Sequence, residues 1–80
     1  MLTNEAPFQV TVECRSPDAA ESAASRLRNF TKNVKNVAVK VIGTVVYMTF
    51  SAIRSHSLIV LGSIKDLLGM SYKASIAPSA

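Results

Sequence analysis

The side chains that most often carry enzyme chemistry are sparse in this sequence. There is one histidine, His56, and one cysteine, Cys14, so neither a histidine pair nor a thiolate metal site can form within one chain. The acids are scattered and form no pair for general acid–base work: Glu5, Glu13, Asp18, Glu21 and Asp66. No glycine-rich phosphate loop is present. The sequence therefore predicts a chain that is not an enzyme and that carries no cofactor or metal.

Positive charge is concentrated in the middle of the chain, and the formal net charge is +4. One basic run contains no acid: Arg26, Arg28, Lys32, Lys35 and Lys40. Such a run could bind the phosphates of a nucleic acid. It is more typical of a solvated helix end, where cations lie near the negative end of the helix dipole. Charge alone leaves both interpretations open.

The segment from residue 37 to residue 50 predicts a β-hairpin that turns at Gly43-Thr44. A two-residue loop with glycine first fits a type II′ turn. This register pairs Ile42 with Val45, and it divides the side chains into a wholly apolar face and a mixed face. The apolar face holds Val37, Val39, Val41, Val46, Met48 and Phe50. The mixed face carries a smaller apolar patch, so we expect a partner to bind at Ile42, Val45 and Tyr47.

Three further segments must position the hairpin. Alternation over Phe8–Cys14 predicts a strand in which Cys14 is a small core residue. Ser16 and Pro17 predict the start of a helix that runs to about Thr31. Its inner stripe is Ala20, Ala23, Ala24, Leu27 and Phe30. A second helix is expected from Ser55 or Ser57 to Leu68, with a core stripe of Val60, Leu61, Ile64, Leu67 and Leu68.

Two features of the second half stay open at this point. Ile59 and Gly62 fall on the side of the second helix that should face solvent, which indicates either a helix-contact surface or a lone exposed isoleucine. Residues 71–77 either add a fourth strand or extend the helix. The expected fold is therefore α+β, an antiparallel sheet with two helices on one face. The order is βαββα, or ferredoxin-like βαββαβ with the fourth strand.

One folded domain is expected over residues 8–77, between a flexible tail at residues 1–7 and a short tail at residues 78–80. No secretory signal is visible at the start, and the longest uncharged apolar segment is far below the roughly 20 residues that span a bilayer. We expect a protein of the cytoplasm, or also of the nucleus, that does not enter a membrane.

An RNA-binding interpretation follows from the ferredoxin-like alternative. RNA-recognition sheets of that order stack bases on aromatic side chains of the open face. Tyr47 stands on that face, whereas Val45 occupies the other aromatic position of the third strand and the first strand offers Gln9, Thr11 and Glu13. One aromatic residue is a weak match to this pattern.

A sequence pattern in the second half of the chain carries a family resemblance. It consists of valine-x-glycine at Val41 and Gly43, phenylalanine-x-alanine at Phe50 and Ala52, and a leucine at Leu58. In these residues the chain resembles the small Pcc-type subunit of the KEOPS (EKC) complex, a family of about this length with a βαββα order. The similarity covers roughly residues 8–68. It departs where the family has acids and an arginine, at 53–55 and at 59.

The resemblance implies a non-catalytic scaffold subunit that dimerises with itself or a close paralogue. It would dock through its helices, at Ile59 and Gly62, on the catalytic threonylcarbamoyl transferase subunit of a complex that makes threonylcarbamoyladenosine in tRNA. The basic run would then help to hold tRNA. The residues alone support two alternatives, a homo-oligomeric protein-binding adaptor and an RNA-binding module.

Overall fold

The computed structural model describes residues 5–70 and 72–79 and contains a four-stranded sheet with two helices. The elements are β1 (Glu5–Glu13), α1 (Pro17–Arg28), β2 (Lys35–Ile42), β3 (Val45–Ile53), a 3-10 turn (Arg54–His56), α2 (Ser57–Leu68) and β4 (Lys73–Pro78). The strands lie in the order β2-β3-β1-β4, and every neighbouring pair is antiparallel. The expected α+β class is confirmed. The fourth strand completes a βαββαβ arrangement of the ferredoxin-like type.

The hairpin forms in the predicted register. Ile42 pairs with Val45, and Lys40 pairs with Tyr47. Gly43 has a φ of +62°, the left-handed conformation that the first central residue of this turn requires. β2 begins earlier than expected, at Lys35, because a bulge at residues 36–37 lets the strand continue past Val37. Asn36, with a φ of +56°, supplies the unusual backbone angle of that bulge.

Helix α1 begins as predicted and ends early. The Ser16 hydroxyl oxygen accepts a hydrogen bond from the Ala19 backbone N–H at 3.1 Å, and Pro17 is the first helical residue. The helix stops at Arg28 instead of near Thr31, because the chain must turn there to reach the sheet. All five residues of the predicted stripe are nevertheless buried, Phe30 from beyond the helix end.

Helix α2 begins at Ser57, the later of the two predicted starts, because a 3-10 turn occupies residues 54–56. Its buried line consists of Val60, Ile64 and Leu68, which are spaced four residues apart. Leu67 was expected in the core and is 40% exposed, since it lies on the flank of this line. Leu61 is half-buried on the opposite flank.

Both helices pack on the same face of the sheet, α1 mainly over β2 and β3 and α2 over β4. The sheet contributes Val10, Val12, Val46 and Met48, all fully buried, as the centre of the core. The rings of Phe8 and Phe50 stack at the end of that core with centroids 6.1 Å apart. Among the described residues no polar side chain is buried. The valines of β2 are only half-buried, because β2 is an edge strand.

The ends of the domain extend further than expected. β1 begins at Glu5, inside the segment predicted as a tail, because residues 5–7 pair with residues 51–53 of β3. β4 includes Pro78, which lies opposite Phe8. Cys14 lies one residue beyond β1 and is half-buried, so it packs at the margin of the core instead of within it. Residues 1–4 and 80 of the predicted tails lie outside the described residues.

Candidate functional site

The residues predicted to bind partners lie on two opposite sides of the molecule. Ile42, Val45 and Tyr47 occupy the open face of the sheet, the face without helices, because their neighbours along each strand point into the core. Ile59 and Gly62 lie on the exposed side of α2, in the helix layer. The structure therefore does not join them into one site, and each surface must be considered separately.

The open-face patch is small and lies near the hairpin turn. Ile42 is 54% exposed, whereas Val45 and Tyr47 are half-buried. Tyr47 lies between Lys40 of β2 and Thr11 of β1 in the strand pairing. A shallow hollow of about 440 Å³ surrounds its ring, lined by Gln9, Ala38, Val39, Lys40, Ile42, Tyr47 and Thr49. Within this patch, Ile42 near the turn is the side chain most open to a partner.

The exposed side of α2 is more apolar than the sequence pattern suggested. Leu58 is 74% exposed and Ile59 is 54% exposed, and Gly62 lies one turn further along the same side. A Cβ built on Gly62 would meet no atom within 4 Å, so no contact within the chain requires glycine there. Leu58 was not predicted as a surface residue, although its i, i+4 spacing to Gly62 is the signal that could have found it. We call Leu58, Ile59 and Gly62 the α2 surface.

The basic run does not form one patch. Arg26 and Arg28 lie exposed on α1 and Lys32 follows the helix, whereas Lys35 and Lys40 lie exposed on β2, in the sheet layer. The chain passes from one layer to the other between these two groups. Two members also have contacts of their own. Arg26 donates to the Leu67 carbonyl oxygen at 3.4 Å, and the Lys35 Nζ lies 3.1 Å from a Glu5 carboxylate oxygen.

The two side chains best suited to nucleophilic or acid–base chemistry lie at opposite ends of the sheet. The Cys14 N–H donates to the Thr44 carbonyl beside the hairpin turn at 2.9 Å, and His56 precedes α2. Burial raises the pKa of the Cys14 thiol, which favours the unreactive protonated form. Where the structure describes the chain, no group of three or more His, Cys, Asp or Glu residues could hold a metal ion.

A hollow of mixed polar and apolar lining lies at the His56 end of the sheet. Its lining includes Glu5, Lys35, Ser51 and His56, within a volume of about 380 Å³. The Glu5–Lys35 ion pair already satisfies its two charged members, and no hydrogen bond among the described residues joins the imidazole to either. The hollow therefore lacks the connected base and orienting group that a catalytic relay requires.

Comparison with known proteins gives a likeness in fold. No protein-family model matches the chain, and no curated protein matches it significantly. The chain is similar to the solved structure of the uncharacterized protein TM1266 from Thermotoga maritima, with a TM-score of 0.55 and 10% sequence identity. The match covers 92% of this chain and 96% of that chain. In the described parts of this chain no helix has the length and apolar character needed to cross a membrane.

Proposed function

We propose that this protein is a non-catalytic assembly subunit that binds a larger protein partner through the α2 surface. The observation that carries the proposal is the exposure of Leu58 and Ile59, at 74% and 54%, beside Gly62 on one side of the helix. Adjacent exposed aliphatic side chains next to a glycine allow another backbone to approach closely. A partner that covers this surface would remove both side chains from water, and each such burial contributes on the order of 1.5 kcal/mol or more.

The complex that the sequence favours is of the KEOPS type. Leu58 belongs to the pattern that resembles the small Pcc-type subunit, and the α2 surface extends from it along the helix. In this proposal the chain supports synthesis of threonylcarbamoyladenosine in tRNA by docking on the catalytic threonylcarbamoyl transferase subunit. The scattered positions of the titratable groups suit a subunit that positions other chains. β4 follows the part of the chain that carries the resemblance and is an addition to the βαββα order.

The direct test measures binding to the threonylcarbamoyl transferase subunit from the same organism. We expect the wild-type chain to form a complex, and we expect Ile59→Asp to weaken it by at least about tenfold, because a carboxylate would be desolvated at the contact. Ser25→Asp is the matched control, since Ser25 is also exposed but lies on α1. Isothermal titration calorimetry with the purified proteins gives both affinities.

A cellular measurement tests the same proposal independently. Deletion of the gene should lower the threonylcarbamoyladenosine content of tRNA, measured by mass spectrometry of digested nucleosides. Expression of the Ile59→Asp variant should fail to restore it, whereas the Ser25→Asp variant should succeed. Unchanged levels of the modified nucleoside, together with no binding to the transferase subunit, would refute the proposed complex.

A second candidate function, RNA binding, is favoured by the hollow around Tyr47. The ring lies directly across the strand pair from Lys40, so an unpaired base stacked on Tyr47 would have a cation within reach of its phosphate. Binding of a single-stranded oligonucleotide should then fall steeply with salt and be lost in Tyr47→Ala. Loss only in the double variant Arg28→Ala, Lys32→Ala would instead place the contact on the helix side.

A further inference from the structure

The edge of β2 presents unused backbone hydrogen-bonding groups. The Cys14 N–H donates to the Thr44 carbonyl, so these two residues form a hydrogen-bonded pair between β1 and β3. Bonded and non-bonded pairs alternate along antiparallel strands, so every second residue of β3, counted from Thr44, directs its backbone N–H and C=O groups towards β1. The intervening residues of β3, such as Tyr47, therefore bond to β2. In β2 these bonds use the backbone of Ala38, Lys40 and Ile42. The N–H and C=O groups of Val39 and Val41 point away from the sheet.

The side chains along this edge are also incompletely covered. Val37, Val39 and Val41 face the helices and pack against the core, yet all three are only half-buried. No proline interrupts the strand. An edge with free backbone groups and half-exposed valines is a template for another strand.

From this geometry we infer that β2 pairs antiparallel with β2 of a second copy, about a two-fold axis at Val39. The two sheets then join into one of eight strands, and Val39 of one copy bonds to Val39 of the other through both backbone groups. Val41 lies opposite Val37 of the second copy on each side of the axis. The half-buried valines of both chains become neighbours beneath the helices, which removes apolar surface from water.

The position of Lys40 favours this register over one centred on Lys40 itself. A two-fold axis at Lys40 also satisfies the free backbone groups, but it sets the two Lys40 side chains directly opposite each other, which is unfavourable. An axis at Val41 reaches the turn at Gly43 within two residues and pairs a shorter segment. With the axis at Val39, Lys40 lies opposite Ala38 of the second copy, and the lysines are separated. Of the axes at Val39, Lys40 and Val41, the one at Val39 therefore gives the most favourable pairing.

The opposite edge of the sheet is less suited to pairing. The remaining edges of such a dimer are both β4, and β4 ends in Pro78. The Ser79 N–H donates to the Pro7 carbonyl at 2.9 Å, so the adjacent Pro78 falls at a position whose N–H would point outward. Proline has none to offer, so the β4 edge presents only the outward N–H groups of Ala74 and Ile76 and lacks a donor at its end. This inference is independent of the α2 surface, because α2 packs over β4, at the opposite edge of the sheet from β2.

Proline substitution tests the edge directly in the full chain. Val39→Pro removes an outward N–H and should raise the dimer dissociation constant by about tenfold or more, measured by analytical ultracentrifugation. Ala74→Pro is the matched control, since it removes an outward N–H from β4, and we expect it to change that constant by less than about twofold. Far-ultraviolet circular dichroism reports whether each variant is folded. A wild-type chain that is monomeric at millimolar concentration would overturn the inference.

Disulfide cross-linking tests the register without relying on a proline variant. In a Cys14→Ser background, Ala38→Cys and Lys40→Cys chains should cross-link when mixed, because these positions face each other across the axis in a close, non-bonded pair. Neither variant should cross-link efficiently by itself. Cross-linking of Lys40→Cys alone would overturn the Val39 register, and no cross-linking in the mixture would overturn the pairing.

Salt dependence separates this contact from nucleic-acid binding. Each chain carries a net charge of +4, so two copies repel and screening should strengthen their association. Between about 0.05 and 0.5 M salt the dimer dissociation constant should fall. A dissociation constant that rises steeply with salt would overturn the inference, because it would indicate a contact held by opposite charges.

Discussion

At one edge of the sheet, β4 ends in Pro78, whose missing N–H lies on the side away from β1. At the other edge, β2 leaves the backbone groups of Val39 and Val41 free and half-exposes the same valines. The two strands belong to one antiparallel sheet, and each is covered by one helix. They differ in what a second chain would meet. β4 offers a short edge that ends in proline, whereas β2 offers an edge that can be extended.

An exposed edge strand is protected by particular residues and not by its place in the fold. β2 does carry two features that discourage pairing, the bulge at Asn36 and the charge at Lys40. The bulge limits the length that can pair, and the lysine excludes the register centred on itself. Together they limit the ways in which the edge can pair instead of closing it.

The largest expected effect comes from proline at positions whose N–H bonds within the sheet. Lys40→Pro in β2 and Ser75→Pro in β4 each remove an inward bond and should lower the free energy of unfolding by about 2–3 kcal/mol. Their neighbours Val41→Pro and Ala74→Pro remove outward N–H groups and should cost about 1 kcal/mol or less in the monomer. Urea denaturation at a protein concentration below the measured dimer dissociation constant gives the four values.

Two outcomes would contradict the assigned directions of the backbone groups. Equal losses for Lys40→Pro and Val41→Pro would show that the assigned direction of the β2 backbone groups is wrong. A large loss for Ala74→Pro together with a small one for Ser75→Pro would show the same for β4. Either result would mean that the backbone groups of the two edges do not point as described.

A smaller effect is expected from the glycines, and its sign differs between two sites. Gly43 holds the turn that fixes β2 to β3 at a φ of +62°, so Gly43→Ala should destabilise the chain by about 1–2 kcal/mol. Gly62 is helical and open to solvent, so Gly62→Ala should stabilise the free chain by about 0.5–1 kcal/mol. Thermal unfolding measures both.

Gly62→Ala also tests whether a partner approaches the α2 surface closely. If a partner approaches the α2 surface closely, the added methyl group should weaken that complex while it stabilises the free chain. Stabilisation with unchanged partner affinity would show that the contact does not use Gly62. Destabilisation of the free chain would contradict the open environment of that residue.

Most of the fold follows from patterns that are local in sequence. The turn at Gly43 and the two-residue alternation determine the hairpin register, and Ser16 with Pro17 determines the start of α1. The fate of residues 71–77 is not determined locally, because alternating apolar residues there suit a strand or a helix end. Pairing of Ile76 with Val10 and of Ala74 with Val12 decides it, and these contacts bring together the two ends of the chain.

The candidate surfaces were less predictable than the fold. Residues close in sequence, such as Lys32 and Lys35, separate into different layers because the chain changes direction between them. The exposure of Leu58 depends on how α2 is rotated about its own axis against the sheet. Sequence periodicity identifies the buried side of the helix, but it does not determine which residues at the margins of that side are exposed. The direction of each backbone group on β2 depends on pairing with β3 and on the bulge. The layer of each lysine, the exposure of Leu58 and the direction of the β2 backbone groups therefore cannot be determined from residue types or from their spacing in the sequence.

The smallest expected effect concerns the ion pair that joins the first residues of β2 and β1 across β3. The Lys35 Nζ lies 3.1 Å from the Glu5 carboxylate, and their side chains are 70% and 34% exposed. Water screens such a pair, so Glu5→Gln should lower the free energy of unfolding by less than about 0.5 kcal/mol. Glu21→Gln on α1 is the control, and urea denaturation at low and high salt gives the comparison. A larger, salt-sensitive loss for Glu5→Gln alone would mean that β2 is held at its bulged end by charge, and that this end of the edge is less free to pair than the end near the turn.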